Sequence, residues 1–168
     1  SRNLHGWTGD FLQGVSTEMI GAILSGFVIL IVVGSVEDRE LRASLIRDAG
    51  SPDHTTAINA VYELRDRGLL LGEGGLLENA HMDRTDLHRA DLSNANLIGA
   101  TMNDAFLSEA LFTEADLTGS DLTGADLTEA LFTLANLESA ELDRTLSIDT
   151  DFARAIAINA NMERADMS

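Results

Sequence analysis

Large apolar residues recur at every fifth position through the C-terminal half of this chain. From Met82 to Met167 only Ser147 and Ala157 interrupt the series. The residue two positions before each of them is always small: alanine in most units, and otherwise Thr85, Ser120, Thr145 or Thr150. A period of five fits neither the 3.6-residue repeat of an α-helix nor the two-residue repeat of a β-strand. It fits a coil that turns a corner after every fifth residue.

A second period of twenty residues supports a four-sided coil. The segment SEALFTEADL at 108–117 returns as TEALFTLANL at 128–137, and Phe112, Phe132 and Phe152 follow the same spacing. Coils stacked at the strand spacing of about 4.8 Å would give a rod of about four and a half coils, roughly 20 Å tall. The large residue of each unit would fill the interior, and the small one would let the corners close. Each coil of such a solenoid contacts only its neighbours.

The repeat carries a family resemblance. Segments such as RADLSNANL, EADLTGSDL and GADLTEALF follow the pattern A(D/N)LXX, and residues 78–168 resemble the pentapeptide-repeat family. That resemblance implies an all-β solenoid, a right-handed quadrilateral β-helix, which we assign to residues 76–168. The segment before the rod resembles the membrane-anchored bacterial subset of the family. A fold does not by itself specify a function, so the family implies little about chemistry.

An apolar segment precedes the rod. Residues 19–36 carry no charge, and as a helix they would span about 27 Å, close to the ~30 Å hydrocarbon core of a bilayer. A buried core helix is the alternative, but the rod fills its own interior. We therefore predict a transmembrane α-helix with an exposed extension over 18–49, after an N-terminal juxtamembrane segment at 1–17.

Small residues mark one side of this predicted helix. Gly21, Ala22, Ser25 and Gly26 form two overlapping small-xxx-small pairs. Such pairs let membrane helices approach closely, which makes these four residues candidates for helix packing. Ordinary tolerance of glycine in a membrane span is the alternative explanation.

Arginines behind the predicted span suggest its orientation. Arg39, Arg42 and Arg47 follow it, whereas Arg2 alone precedes it. The positive-inside rule then places the repeat domain in the cytoplasm. We expect the helix to continue to about Ala49.

Residues 51–75 are predicted to link the anchor to the rod as a short capping helix and a turn. Ser51 is the predicted N-cap, with Pro52 at the first helical position and Gly68 after the end. The apolar stripe of Ile58, Val61 and Leu64, together with leucines 69–71, is expected to cover the first coil. Such a cover would protect an edge that otherwise invites further pairing.

Composition narrows the possible functions. The formal net charge is −17, and residues 80–168 carry five arginines against seventeen acids, which gives a rod of about −12. A conventional nucleic-acid binder needs a basic face, so nucleic acid is an improbable partner. The chain has no cysteine and no lysine. His81 and His88 have acids nearby but no metal-binding spacing, and we predict no catalysis, cofactor or metal.

The outward position just before each large residue is usually Asp or Asn. It is apolar at five places, which are our candidate protein interface: Phe106, Leu111, Leu131, Leu146 and Ile156. The twenty-residue coil places Phe106 and Leu146 on one face and Leu111 and Leu131 on the next, near a shared corner. A contiguous exposed apolar patch suggests an interface, although harmless scatter is the alternative. The degraded last units also suggest self-association through the C-terminal end.

These features predict a non-catalytic, single-pass membrane scaffold or protein-interaction module, such as an accessory subunit of a larger membrane complex. Its partners would be membrane lipid and other membrane protein subunits. The alternative comes from the family resemblance, because some pentapeptide-repeat proteins mimic acidic DNA and engage type II topoisomerases. The charge of the rod allows this, whereas the apolar segment and the shortness of the rod argue against it.

Overall fold

The computed structural model describes residues 38–71 and 75–167. The chain forms two compact units, 1–41 and 42–168, and the rod belongs to the second. The predicted transmembrane segment 19–36, with Gly21, Ala22, Ser25 and Gly26, lies outside the described residues. Among the helices that are described, none has the length and apolar character that a membrane span requires.

Two helices precede the rod. Residues 38–49 are helical (α1), and Gly50 ends this helix by donating its N–H to the carbonyls of Ile46 at 3.3 Å and Arg47 at 3.2 Å. The second helix, α2, spans His54–Asp66. Gly68 follows its C-cap with a φ of +68°, a left-handed conformation that glycine adopts without steric cost.

The N-cap of α2 is Asp53, so the prediction of Ser51 was wrong. The Asp53 carboxylate accepts hydrogen bonds from the Thr56 N–H at 2.9 Å and the Thr56 hydroxyl at 2.7 Å. The Ser51 hydroxyl instead accepts from the N–H of Asp53 at 3.1 Å. Aspartate is as good an N-cap as serine, and the structure places the Asp53 carboxylate within reach of the free helical N–H groups.

The rod is a stack of four-sided coils, as the twenty-residue period predicted. Parallel bridges join residues twenty apart on all four sides, beginning with His81–Thr101, Asp86–Phe106, Asp91–Leu111 and Asn96–Asp116. Backbone hydrogen bonds of 2.6–3.1 Å connect successive coils on every side. Within the described part of the rod these pairings are single bridges and not extended strands, because the chain turns again after each one.

Every corner has the same backbone conformation. Each fifth residue from Asn79 to Arg164 has a φ between 53° and 72°. A turn hydrogen bond closes most corners, as where the N–H of Ala90 donates to the Leu87 carbonyl at 2.9 Å. A positive φ at the third residue of a turn favours glycine or asparagine, so other residues are held there by the stack.

The large apolar residues form the core, as predicted. From Met82 to Leu142 the central side chains are buried, and the small residues between them are buried as well. Phe112 and Phe132 stack with ring centroids 4.6 Å apart, and Phe132 and Phe152 with centroids 5.1 Å apart. The interruption at Ser147 is accommodated by a hydrogen bond of 3.1 Å from its hydroxyl to that of Thr145.

Helix α2 covers the first coil. Its buried residues are Ala57, Ala60, Val61 and Leu64, and Leu70 and Leu77 are buried beside them. Ile58, predicted for the same stripe, is only half-buried, and Leu71 is half exposed. Two of the four buried residues of α2 are alanines, whose small side chains allow a close approach of helix and coil.

Side chains of α2 also complete the hydrogen bonding of the first coil. The Arg65 guanidinium donates to the Asp91 carbonyl at 2.7 and 3.1 Å, to the Ser93 carbonyl at 3.1 Å and to the Asp91 carboxylate at 2.7 Å. The His54 ring nitrogen Nδ1 lies 3.3 Å from the Asp86 carbonyl.

These carbonyls would otherwise lack the partners that later coils have. The equivalent carbonyls one coil on, at Phe106, Leu111 and Thr113, accept N–H groups from the coil before them. The first coil has no such coil before it. The side chains of Arg65 and His54 therefore take the place of the backbone N–H donors that a preceding coil would supply.

The end of α1 lies close to the backbone of the first coil, where Gly50 faces the carbonyl oxygen of His81. A β-carbon built at Gly50 would overlap the carbonyl oxygen of His81, and one built at Gly75 would lie 2.6 Å from the Leu70 carbonyl oxygen. Both neighbours are backbone atoms that cannot rotate away. Glycine is therefore required at both positions by space.

Candidate protein interface

The preference for Asp or Asn at the outward position has a local cause. The carboxylates of Asp116, Asp121 and Asp126 accept a hydrogen bond from the N–H two residues later, at 3.0–3.1 Å. Asn96 and Asn136 do the same with their amide oxygens. This Asx arrangement gives the next corner an acceptor for an N–H that faces away from the neighbouring coils.

The five apolar outward residues cannot make this bond. The N–H groups two residues after them, such as those of Ser108, Thr133 and Ile158, have no hydrogen bond within the described residues. A protein hydrogen bond contributes about 0.5–1.5 kcal/mol, and half burial of an apolar side chain contributes a similar amount, since Phe106 is 55% and Ile156 50% exposed. The stability of the rod therefore does not favour apolar residues at these positions over Asp or Asn, and the apolar residues leave hydrocarbon exposed to solvent.

The bridges fix how these residues are arranged. We name each face after one member: the Phe106 face carries Asp86, Phe106, Asp126, Leu146 and Asp166, and the Leu131 face carries Asp91, Leu111, Leu131 and Asp151. Leu111 and Leu131 are direct neighbours in adjacent coils. Phe106 and Leu146 lie two coils apart with Asp126 between them. Ile156 lies on a third face, above Asn136.

Two further exposed apolar residues escaped the sequence analysis. Leu134 occupies a corner on the Leu131 face, and Ile158 lies just after Ile156. A signal for Leu134 was available, because the corner position is polar or glycine in every other described unit. Leu134 follows its central residue, Phe132, by two positions, whereas each of the five candidate residues directly precedes a central residue.

Acidic side chains border the edge between the Phe106 and Leu131 faces. Arg89 holds Glu109 in a two-bond ion pair with both distances 2.8 Å, and this hydrogen bonding lowers the pKa of Glu109. Glu129 and Asp149 follow in the same column of corners, twenty and forty residues after Glu109. Glu109 is therefore ionised at neutral pH, and three acidic residues follow one another along this edge.

Asp83 carries a further carboxylate, on the side of the first coil that begins at His81. Burial acts to raise the pKa of Asp83, but hydrogen bonds from the N–H of Asn103 and from the side chains of Thr101 and Asn103 outweigh it, and the net shift is downward. Asp83 is thus also ionised at neutral pH, bound to the coil above it.

The described histidines, His54, His81 and His88, contact neighbouring side chains and backbone within the rod and α2. The rings of His54 and His88 stack with centroids 5.4 Å apart, between α2 and the first coil, while His81 contacts the Thr101 hydroxyl. No group of three or more His, Asp or Glu side chains among residues 38–71 and 75–167 has an arrangement that could hold a metal ion.

The repeat region matches the family model of pentapeptide repeats. Eight copies cover 76–108, 90–128, 107–146 and 130–168, which together exceed half of the chain. The chain belongs to the pentapeptide-repeat family. Membership accords with the square coil, since the quadrilateral β-helix is the architecture that the repeat implies. No curated protein matches this pentapeptide-repeat chain.

Several solved structures resemble this pentapeptide-repeat protein. The protein alr5209 from Nostoc PCC 7120 is 25% identical over 66% of this chain and 78% of its own, with a TM-score of 0.40. Rfr23 from Cyanothece 51142 is 22% identical over 54% of this chain and 62% of its own, with a TM-score of 0.33. QnrB1, a plasmid-mediated fluoroquinolone resistance protein, is 21% identical over 52% and 62%, with a TM-score of 0.17. At these scores the family assignment rests on the repeats alone.

Proposed function

We propose that this pentapeptide-repeat protein is a non-catalytic scaffold that binds a partner protein through the outward apolar side chains of its rod. Residues 19–36 anchor it in a membrane, with the rod in the cytoplasm, where it acts as an accessory subunit of a membrane complex. The observation that supports the binding role is the set of exposed apolar residues at positions where the repeat loses a hydrogen bond. The anchoring role rests on the apolar sequence of 19–36.

The outward apolar side chains are exposed at positions where Asp or Asn could have made a hydrogen bond to the corner. This favours a role for them in binding a partner over a role in stabilising the rod. Asp or Asn at Phe106, Leu131 or Leu146 would supply the acceptor that equivalent positions have, such as Asp116 and Asp121. The apolar residues instead present hydrocarbon to solvent on a rigid surface. Rigid presentation lowers the entropic cost of association, which suits a binding surface.

The anchoring and binding roles are tested together on tagged full-length protein in its native membranes. We expect the chain to remain in the pellet after an alkaline carbonate wash, and a partner to co-purify in stoichiometric amount after mild detergent extraction. A variant with Phe106→Asn, Leu131→Asn and Leu146→Asn should lose the partner while remaining in the membrane.

The matched control changes two outward polar residues of the same rod that lie off the Phe106 and Leu131 faces. Asp116→Asn and Asp121→Asn keep the corner hydrogen bonds and should keep the partner. Recovery of the wild type in the soluble fraction would refute membrane anchoring. Purification of the wild type without a stoichiometric partner would refute the scaffold role.

A DNA mimic is the second candidate, and the excess of acids over arginines on the rod favours it. Ion pairs interrupt the rows of carboxylates without changing that excess, since Arg89 pairs with Glu109 and Arg164 binds Asp143 at 2.7 Å. We expect no inhibition of DNA gyrase supercoiling by micromolar full-length protein. Inhibition that disappears when Asp121 and Glu141 are replaced by Asn and Gln would instead support the mimic.

A further inference from the structure

The Leu131 face holds the densest of the exposed apolar clusters. Leu111 and Leu131 pair through a parallel bridge, and Leu134 lies three residues after Leu131 on the same side of the same coil. We call these three residues the leucine patch. Leu131 and Leu134 are each 38% exposed, while Leu111 is half-buried.

Leu134 is the most informative member because it is the one apolar residue among the described corners. Its φ of 62° is the left-handed angle that all of these corners share, so the backbone does not distinguish it. Every other described corner from Asn79 to Arg164 carries a polar residue or glycine. A leucine that is exposed at such a corner contributes little to the interior of the rod and leaves apolar surface available for binding.

Charged residues border the leucine patch. Asp151 follows Leu131 in its column, Glu114 precedes Leu134 in the column of corners, and Glu129 occupies the corner just before Leu131. Arg154, which follows Leu134, is the one cation in this immediate border. Three carboxylates against one guanidinium give the border a net charge of −2.

We infer that the leucine patch binds a basic amphipathic helix of another protein. This inference rests on the proposed function and adds the class of partner. Stacked leucines on the rod are about 4.8 Å apart, and apolar residues at i and i+4 on a helix are about 5–6 Å apart. A helix lying along the rod axis therefore matches the spacing of the patch, and lysine or arginine beside its apolar stripe complements the acidic border.

The charge of this chain argues against binding of the leucine patch to a second copy of the protein or to residues 1–37. A second copy carries a net charge of −17, so two acidic faces would repel each other. Residues 1–37 carry Arg2 against Asp10, Glu18 and Glu37, which is a net charge of −2. A partner rich in lysine or arginine is the occupant that the border favours.

The composition of the chain permits a direct test. Because it contains no lysine, a zero-length carbodiimide crosslinker can join its carboxylates only to amines of another molecule, apart from the N-terminus of the chain. The probe is a synthetic amphipathic helix of about 18 residues, with leucines at i, i+3, i+4 and i+7 and lysines on both flanks. The full-length protein is presented in nanodiscs of zwitterionic lipid, with empty nanodiscs as the blank.

We expect crosslinks from peptide lysines to concentrate on Glu114, Glu129 and Asp151, as mapped by mass spectrometry. A double variant, Leu131→Asn with Leu134→Asn, should reduce these crosslinks by about tenfold or more. Asparagine suits both positions, since it accepts the corner N–H at one and tolerates positive φ at the other. The melting temperature of this variant should be unchanged or higher, which separates lost binding from lost folding.

The matched control removes the other exposed apolar pair. Ile156→Asn with Ile158→Asn should leave the crosslinks at the leucine patch unchanged, and a peptide with glutamate in place of lysine but amines at its two ends should give none there. Equal crosslinking of acids on all faces, or an unchanged yield in the Leu131/Leu134 variant, would overturn the inference. If either result is found while a partner still co-purifies from native membranes, the inference about the leucine patch is refuted but the scaffold role is not.

Discussion

Replacing Phe132 with alanine is expected to reduce the free energy of unfolding by about 3–5 kcal/mol. Phe132 is fully buried, and its ring lies between those of Phe112 and Phe152. Removing it leaves a cavity that the hydrogen-bonded coils cannot collapse into, since their spacing is set by the backbone. Urea denaturation followed by far-UV circular dichroism measures the loss.

Phe152→Ala provides the comparison within the same stack. Phe152 has only one stacked phenylalanine and is partly exposed, so its removal should cost clearly less. A Phe132→Ala protein with an unchanged unfolding midpoint would contradict interior stacking. A cost for Phe152→Ala equal to that for Phe132→Ala would contradict the difference in burial.

Replacing Arg65 with methionine is expected to reduce the free energy of unfolding by about 1.5–3 kcal/mol, the range for hydrogen bonds that involve a charged group. Methionine keeps most of the aliphatic length but leaves the carbonyls of Asp91 and Ser93 without their donor. The carboxylate of Asp91 also loses its ion pair, of which both side chains are about a third exposed. Urea denaturation again gives the measurement.

Arg67→Met is the control on the same helix. Arg67 pairs with Glu63 one turn away, where both side chains are exposed, and such a pair contributes about 0.3–0.5 kcal/mol. Similar losses for the two variants would show that Arg65 acts only as a surface charge. Greater exchange of backbone amides in the first coil of the Arg65 variant alone would locate its effect at the cap.

The repeating part of the fold could be predicted in detail because each coil imposes the same requirement on every fifth residue. In each unit a large residue must fill the interior and a small residue must let the corner close. Both constraints are visible in the sequence as periods of five and twenty residues. The stacking of Phe112, Phe132 and Phe152 followed from the same spacing. The sequence did not indicate why Asp and Asn occupy the outward position, since the corner hydrogen bond depends on backbone geometry.

The non-repeating parts were less predictable for a related reason. Asp53 and Ser51 are both good capping residues, and only the path of the chain decides which one reaches the helix. The binding of Arg65 and His54 to the first coil joins residues 26 and 32 positions away, with no period to reveal it. Leu134 was visible as an apolar exception among polar residues, but the left-handed angle that it shares with the other corners depends on the backbone and does not show in the sequence.

The fixed separation of twenty residues between neighbouring coils also determines how the rod assembles. Every pairing of two coils closes a loop of the same length. Each added coil therefore has a similar entropic cost of loop closure and forms a similar set of backbone hydrogen bonds. The first pairing is the exception, because a lone coil has no neighbour, and α2 supplies bonds to that coil through Arg65 and His54. We therefore expect growth to begin beside α2 and to advance toward the C-terminus one coil at a time, with unwinding in the reverse direction.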